Sequence, residues 1–185
     1  YPLRRQRQMC IRDSAGTEQQ EKFVALNKLD VNALEKEIQK RREAVEKDET
    51  GDVKLAADLY EAFETYGRRF PNHENAADYL FRAGEIAMNL NQTSHALKLF
   101  ETVYEDFRKY EKSPYALFMR AFVLENQANN YVEAQKYYEE FIENYPNHPM
   151  ADDAEYSLKN MGKTPEELIR NFEIQDSIKR AQEAS

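Results

Sequence analysis

From Asp52 to Phe70 the apolar residues Val53, Ala56, Ala57, Tyr60 and Phe63 recur at spacings of three and four, which is one face of an α-helix. Two later segments carry the same pattern: Ala96, Leu99, Phe100, Val103 and Phe107, then Ala134, Tyr137, Tyr138, Phe141 and Ile142. Superposed, the three share a small residue with large ones four and seven positions on: Ala56-Tyr60-Phe63, Ala96-Phe100-Val103 and Ala134-Tyr138-Phe141. A small residue lets two helix backbones approach, and the next two turns fill the groove beside it. The alanines stand 40 and 38 residues apart. The triplet Pro-Asn-His, at 71–73 and again at 146–148, recurs after 75 residues, two such periods.

Between these helices the chain predicts a second kind. Tyr79-Leu80-Phe81 with Gly84 and Ala87 matches Ala116-Leu117-Phe118 with Ala121 and Leu124 without a gap. Asn91–Thr93 and Asn129–Asn130 supply the turns inside each hairpin, with Thr93 or Ser94 as N-cap. Pro71, Pro114 and Pro146 are placed just after helices or at their starts, so that each Pro-Asn-His triplet joins one hairpin to the next, its Pro opening the helix. Residues 33–47 form the first helix, capped by Asp30, with Leu34, Ile38 and Val45 inward and "DETGD" as the turn that follows. After the second triplet, Ala151–Met161 is a helix ended by Gly162. Thr164 as N-cap, Pro165 at the first helical position and Glu167 closing a capping box begin a last helix. In it Leu168, Ile169 and Phe172 form one apolar side, read as covering the end of the array, while Ile174, Ile178 and Ala181 form another that docks a partner or a second copy, or frays. The hairpins fall at about 31–69, 74–110 and 114–145, followed by a helix at 149–161 and a capping helix with its tail at 164–185; residues 15–30 are a linker or short helix.

A period of 38–40 residues in helix-turn-helix units means an α-solenoid. At this point the chain resembles the tetratricopeptide repeat (TPR) family from about Ala33 to Gly162. Gly84 and Ala121 match the family's small residue in the first helix; Ala96-Phe100-Val103 and Ala134-Tyr138-Phe141 match its second-helix core; Pro146 matches its closing proline. The departures are a missing Trp and hairpins longer than the family's ~34 residues. The ending "YPNHPMADDAEYSLKNMGKTPEELI" is similar to that of small TPR lipoproteins of the Gram-negative envelope, those of outer-membrane assembly and of cell division among them.

The resemblance implies an all-α, right-handed α-solenoid of TPR-like hairpins with a C-terminal capping helix. It implies a protein–protein interaction scaffold that takes a protein or peptide partner in a concave groove, in the periplasm or on the outer membrane, with no cofactor. The groove would show Phe81, Arg82, Glu85, Met88 and Asn89 on one first helix, and Tyr115, Phe118, Met119, Phe122 and Asn126 on the next. Phe81 and Phe118 admit a second reading, as core between helices. Asn89 and Asn126 suit a peptide backbone, but the Lys/Arg partners of a carboxylate clamp are largely missing. A cytosolic TPR adaptor or co-chaperone is the alternative on the same fold.

Composition trims these readings. With 41% apolar and 32% charged residues, twelve Tyr, ten Phe and only five Gly, the chain is too aromatic for disorder and too poor in Gly for a barrel. A formal charge of −8 argues against non-specific nucleic-acid binding and fits a soluble chain. No apolar stretch approaches the ~20 residues that cross a bilayer; a membrane link would need a lipid anchor on an upstream cysteine.

Residues 1–14, "YPLRRQRQMCIRDS", do not follow the pattern and lack the apolar core of a secretory signal. Met9-Cys10-Ile11-Arg12-Asp13 can be encoded by ATG TGT ATA AGA GAC, which resembles the transposon end ligated to DNA in sequencing-library preparation. The segment is read as a translated adapter, so Cys10 drops out as a native residue and the native start lies upstream.

Chemistry has little to stand on. His148 with Asp152 and Asp153 is the most metal-like grouping, but zinc sites take three or four ligands with a supporting shell, and two acids after Pro149 also suit a first helical turn. His73 and His95 are the other two histidines. No phosphate-binding Gly loop, G-x-S-x-G or H-E-x-x-H occurs. The pairs Glu139-Glu140 and Glu166-Glu167 read as solvated faces. The expectation is action by binding, with an enzyme or metal carrier centred on His148 as a distant third.

Overall fold

The structure, a computed structural model, describes residues 25–183. Residues 1–14 with Cys10, most of the 15–30 linker and the last two residues lie outside them. From Val31 onward the described chain runs through eight helices and no strand: α1 (Val31–Lys47), α2 (Val53–Arg69), α3 (Ala76–Asn89), α4 (Thr93–Asp106), α5 (Ser113–Asn126), α6 (Tyr131–Asn144), α7 (Ala151–Asn160) and α8 (Pro165–Glu183). The all-α class of TPR-like helix hairpins is therefore the observed one.

The chain forms two compact units, one ending at Tyr110 and one beginning at Glu111. In the first, α1 packs on α2, α2 on α3 and α3 on α4; in the second, α5 packs on α6 and α6 on α7.

Local chemistry sets the helix starts. Asp30 accepts the Ala33 amide at 2.8 Å and caps α1. Asp48 folds the turn after it, accepting from the Thr50 amide and hydroxyl and from the Asp52 amide, while Asp52 caps α2 through the Lys54 amide. Leu34 and Ile38 are buried, and Val45 is half-buried. At α4 the cap differs from expectation. Gln92 is the N-cap, with no side-chain cap hydrogen bond, and Thr93 is already helical, because Asn91 turns the chain one residue earlier at φ 55°. Asn129 does the same before α6, at φ 50°.

The prolines also correct the expectation. α2 and α6 end at Phe70 and Tyr145, and Pro71 and Pro146 follow inside turns; the next helices begin only at Ala76 and Ala151. A residue before proline is pushed out of the helical region, so these prolines stop a helix and do not open one. Of Pro71, Pro114 and Pro146, only Pro114 stands in a first turn, that of α5.

The repeat register differs by one turn in its first copy. The buried positions of α4 are Ala96, Leu99, Phe100, Val103 and Tyr104. Their counterparts in α2 are Leu59, Ala62, Phe63, Tyr66 and Gly67, all buried and all 37 residues earlier. Leu59-Phe63-Tyr66, not Ala56-Tyr60-Phe63, is thus the first copy. α2 has 17 residues against 14 for α4 and α6, and its extra turn is N-terminal, where Val53 is 63% exposed and Ala56 half-buried. With that shift the three joints coincide. Phe70, Phe107 and Tyr145 each cap a helix, and His73, Tyr110 and His148 each donate a backbone N–H to that cap's carbonyl at 2.9–3.0 Å.

A candidate protein-binding face

On α3 the five residues expected to line a groove separate. Phe81 is fully buried, edge-on to Phe100 with ring centres 5.6 Å apart; it is core and lines no surface. The physical reason lies one turn along. A Cβ on Gly84 would come 2.8 Å from the Phe100 ring, so the bare glycine lets α4 in close enough to cover Phe81. Arg82, Glu85 and Met88 are half-buried and Asn89 is exposed. Arg82 donates from Nε to Asp78, and that hydrogen bond pushes the guanidinium pKa up. Asp78 also accepts from the Tyr110 hydroxyl at 2.8 Å, whose pKa is raised first by burial and then by this carboxylate. The α3 face is an ordered polar stripe, tied to the joint after α4.

On α5 the other five separate in the same way. Phe118 is 5% exposed and Met119 6%; both are core. Phe118 meets Tyr138 and Phe141 of α6 edge-on, at 5.5 and 5.6 Å between ring centres. Along α5 it stacks between Tyr115, at 5.9 Å, and Phe122, at 6.5 Å. Tyr115 is half-buried, Phe122 is 37% exposed and Asn126 is exposed, its Nδ2 donating to the Phe122 carbonyl at 3.0 Å. The aromatic ladder is rooted in the core and emerges at Phe122. Of the ten expected residues, Phe81, Phe118 and Met119 are interior; the other seven reach solvent, in two separate units.

Two of the three histidines, His73 and His148, serve the joints. His148 Nδ1 accepts from the Met150 amide at 3.2 Å, and its ring stands edge-on to Phe141. Asp152 and Asp153 are exposed in the first turn of α7. Among the described residues no three His, Cys, Asp or Glu side chains converge as a ligand set. His95 stacks on Tyr60 with ring centres 6.2 Å apart. Sequence reasoning missed the network at the first joint. There Tyr66 donates its hydroxyl to Glu35 at 2.7 Å, Asn75 donates to the same carboxylate oxygen at 2.9 Å, and His73 Nδ1 also meets the Tyr66 hydroxyl. The one signal of it in the sequence was the His of the first triplet; at the second, His148 takes the Met150 amide instead.

The segment from Tyr115 to His148, hairpin α5–α6 with the joint after it, also decides the comparison with known families. Residues 115–148 match the tetratricopeptide repeat. No curated protein matches the chain. Tetratricopeptide repeats generally mediate protein–protein binding, and the matched hairpin is the one whose aromatic ladder reaches the surface at Phe122.

Proposed function

We propose that the protein is a protein–protein interaction scaffold of the Gram-negative envelope, working in the periplasm or held at the outer membrane. The match of residues 115–148 to the tetratricopeptide repeat carries the binding part of this reading. Phe122 and Asn126, accessible on the first helix of that repeat, are the side chains best placed to meet a protein or peptide. The envelope part is supported by the resemblance of residues 145–169 to the ends of envelope TPR proteins. Among the described residues no helix is long and apolar enough to cross a membrane; the attachment proposed is a lipid on a cysteine upstream.

The test is to read the locus upstream of residue 15 and to fractionate cells carrying the native gene. A signal sequence ending in a lipid-modified cysteine, with the protein in the envelope fraction, supports the proposal. In that case photo-crosslinking from position 122 should capture a partner, and Asn126→Ala should weaken capture. A start codon with no signal, and protein in the cytosol, overturns the envelope reading in favour of a cytosolic adaptor. The same sequencing tests the adapter reading, which falls if the genome encodes residues 1–14 as written.

A further inference from the structure

The corrected register aligns α3, α5 and α7, which begin at Ala76, Ser113 and Ala151. Phe81, Phe118 and Tyr156 then occupy one position, 37 and 38 residues apart. In the first two copies that ring is 0% and 5% exposed, covered by Phe100 of α4 and by Tyr138 and Phe141 of α6. Tyr156 is 63% exposed. The helix that follows it, α8, buries no described side chain: Leu168 is half-buried, Ile169 is 61% exposed and Phe172 74%. The expectation that these three residues cover the end of the array is not met. Between α7 and α8 lies an open groove of about 410 Å³, lined on its apolar side by Tyr156, Leu168, Phe172 and Ile174.

The charge of this groove is unlike that of the chain. Lys159 stands where α3 has Gly84 and α5 has Ala121, the position at which the preceding hairpins bring two helices together. Lys163 follows one turn on, its Nζ donating to the Lys159 carbonyl and to Asn160 Oδ1. No carboxylate lines the groove, and among the described residues Lys159 makes no ion pair. Two ammonium groups and four apolar side chains are thus gathered on a protein of net charge −8.

We infer that this groove docks an acidic amphipathic helix of another protein. The occupant is a helix because the same position is covered by a helix in both earlier hairpins, an interface that simply continues at Tyr156. It is acidic because lysine replaces the glycine or alanine of the crossing point: a carboxylate facing Lys159 takes the place of the ring that rests on Gly84. Among the described residues α2, α4 and α6 already bury their apolar stripes, so none of them is the occupant, and the proposal assigns the helix to another protein. An anionic bilayer would meet Glu166, Glu167, Glu173 and Asp176 on α8; a second copy's α8 carries those same acids together with Arg170, and sedimentation separates it from a helix of another protein.

The experiment pans a displayed library of helix-forming peptides on the full chain and on the Lys159→Glu/Lys163→Glu variant. Peptides enriched on the native chain should combine Asp/Glu with apolar residues at three- and four-residue spacing. A selected peptide, followed by fluorescence anisotropy, should bind the double variant roughly ten-fold or more weakly at low salt. Its Glu→Lys version should recover binding to that variant. Tyr156→Ser should also weaken it, with unchanged thermal melting because that ring is exposed. Enrichment without acids, or affinity indifferent to these substitutions, overturns the inference. So does self-association in sedimentation that Tyr156→Ser abolishes, which assigns the groove to a second copy. Flotation of the native chain, but not the double variant, with phosphatidylglycerol vesicles would assign it to a membrane instead.

Discussion

A single hydroxyl organises the first joint. Tyr66 is fully buried, with Glu35 of α1 on one side and His73 of the joint on the other. Its hydroxyl donates to the carboxylate, and its oxygen also meets His73 Nδ1. The Tyr66 and Asn75 hydrogen bonds, in that order, hold the Glu35 carboxyl below its ordinary pKa against the opposing effect of burial, with His73 adding a smaller pull. A carboxylate whose folded pKa is depressed contributes stability that is present above its unfolded pKa and lost as pH falls through the folded value. Urea midpoints measured from neutral to acid pH should therefore fall less steeply for Glu35→Gln than for the native chain, and parallel curves would refute this role. Tyr66→Phe removes a hydrogen bond to a charged group and should cost about 1.5–3 kcal/mol at neutral pH. Two glycines rank a second effect at this scale. A Cβ on Gly67 would lie 2.3 Å from Leu80 Cγ, the branch point of a buried side chain, against 2.8 Å from the Phe100 ring edge for Gly84. Gly67→Ala should then destabilise by about 1–3 kcal/mol, and by more than Gly84→Ala, in denaturant titrations.

Individual helices were largely legible in the sequence, because an apolar stripe and a cap are local signals. Asp30 and the Thr164/Glu167 capping box act as their residue types dictate; in the latter, Thr164 N–H donates to Glu167 at 2.8 Å and Glu167 N–H to the Thr164 hydroxyl at 3.3 Å. Gly162, at φ 74°, ends α7 as its type allows. The register of α2 was not legible. Ala56-Tyr60-Phe63 and Leu59-Phe63-Tyr66 both satisfy helical spacing, and only contact with α3 shows which face is inside. The same limit applies to the face expected to bind. An aromatic at a first-helix position reads alike whether it lies in a groove or under the next helix, and the choice between them turns on how closely Gly84 admits α4. Phe118→Ala should accordingly cost about 3–5 kcal/mol in chemical denaturation, whereas Phe122→Ala should lie well below that range. α8, with no described side chain buried, depends on its own cap: Thr164→Ala, worth ~1 kcal/mol, should lower far-UV helicity while leaving the urea midpoint of the rest unchanged.

At the scale of the molecule, function was less legible than fold because partner choice is written in surface side chains that no periodicity constrains. The repeat says that binding is the trade; Lys159, a substitution within the repeat, is the kind of departure that says with whom. Stability obeys the repeat more closely. In arrays of hairpins each unit is held by its neighbours, so a lesion spreads only as far as its contacts reach. Phe81 meets Phe100 and Tyr110 inside the unit that ends at Tyr110, and Phe118 meets Tyr115, Phe122, Tyr138 and Phe141 inside the unit that begins at Glu111. Hydrogen exchange followed by mass spectrometry should show the difference. Phe81→Ala should lower protection first in α3 and α4, and Phe118→Ala first in α5 and α6, because sub-global opening follows the contacts removed. Equal loss of protection over all helices in both variants would mean that the two units open as one. In that case the contacts of each ring inside its own unit would not be what limits its stability.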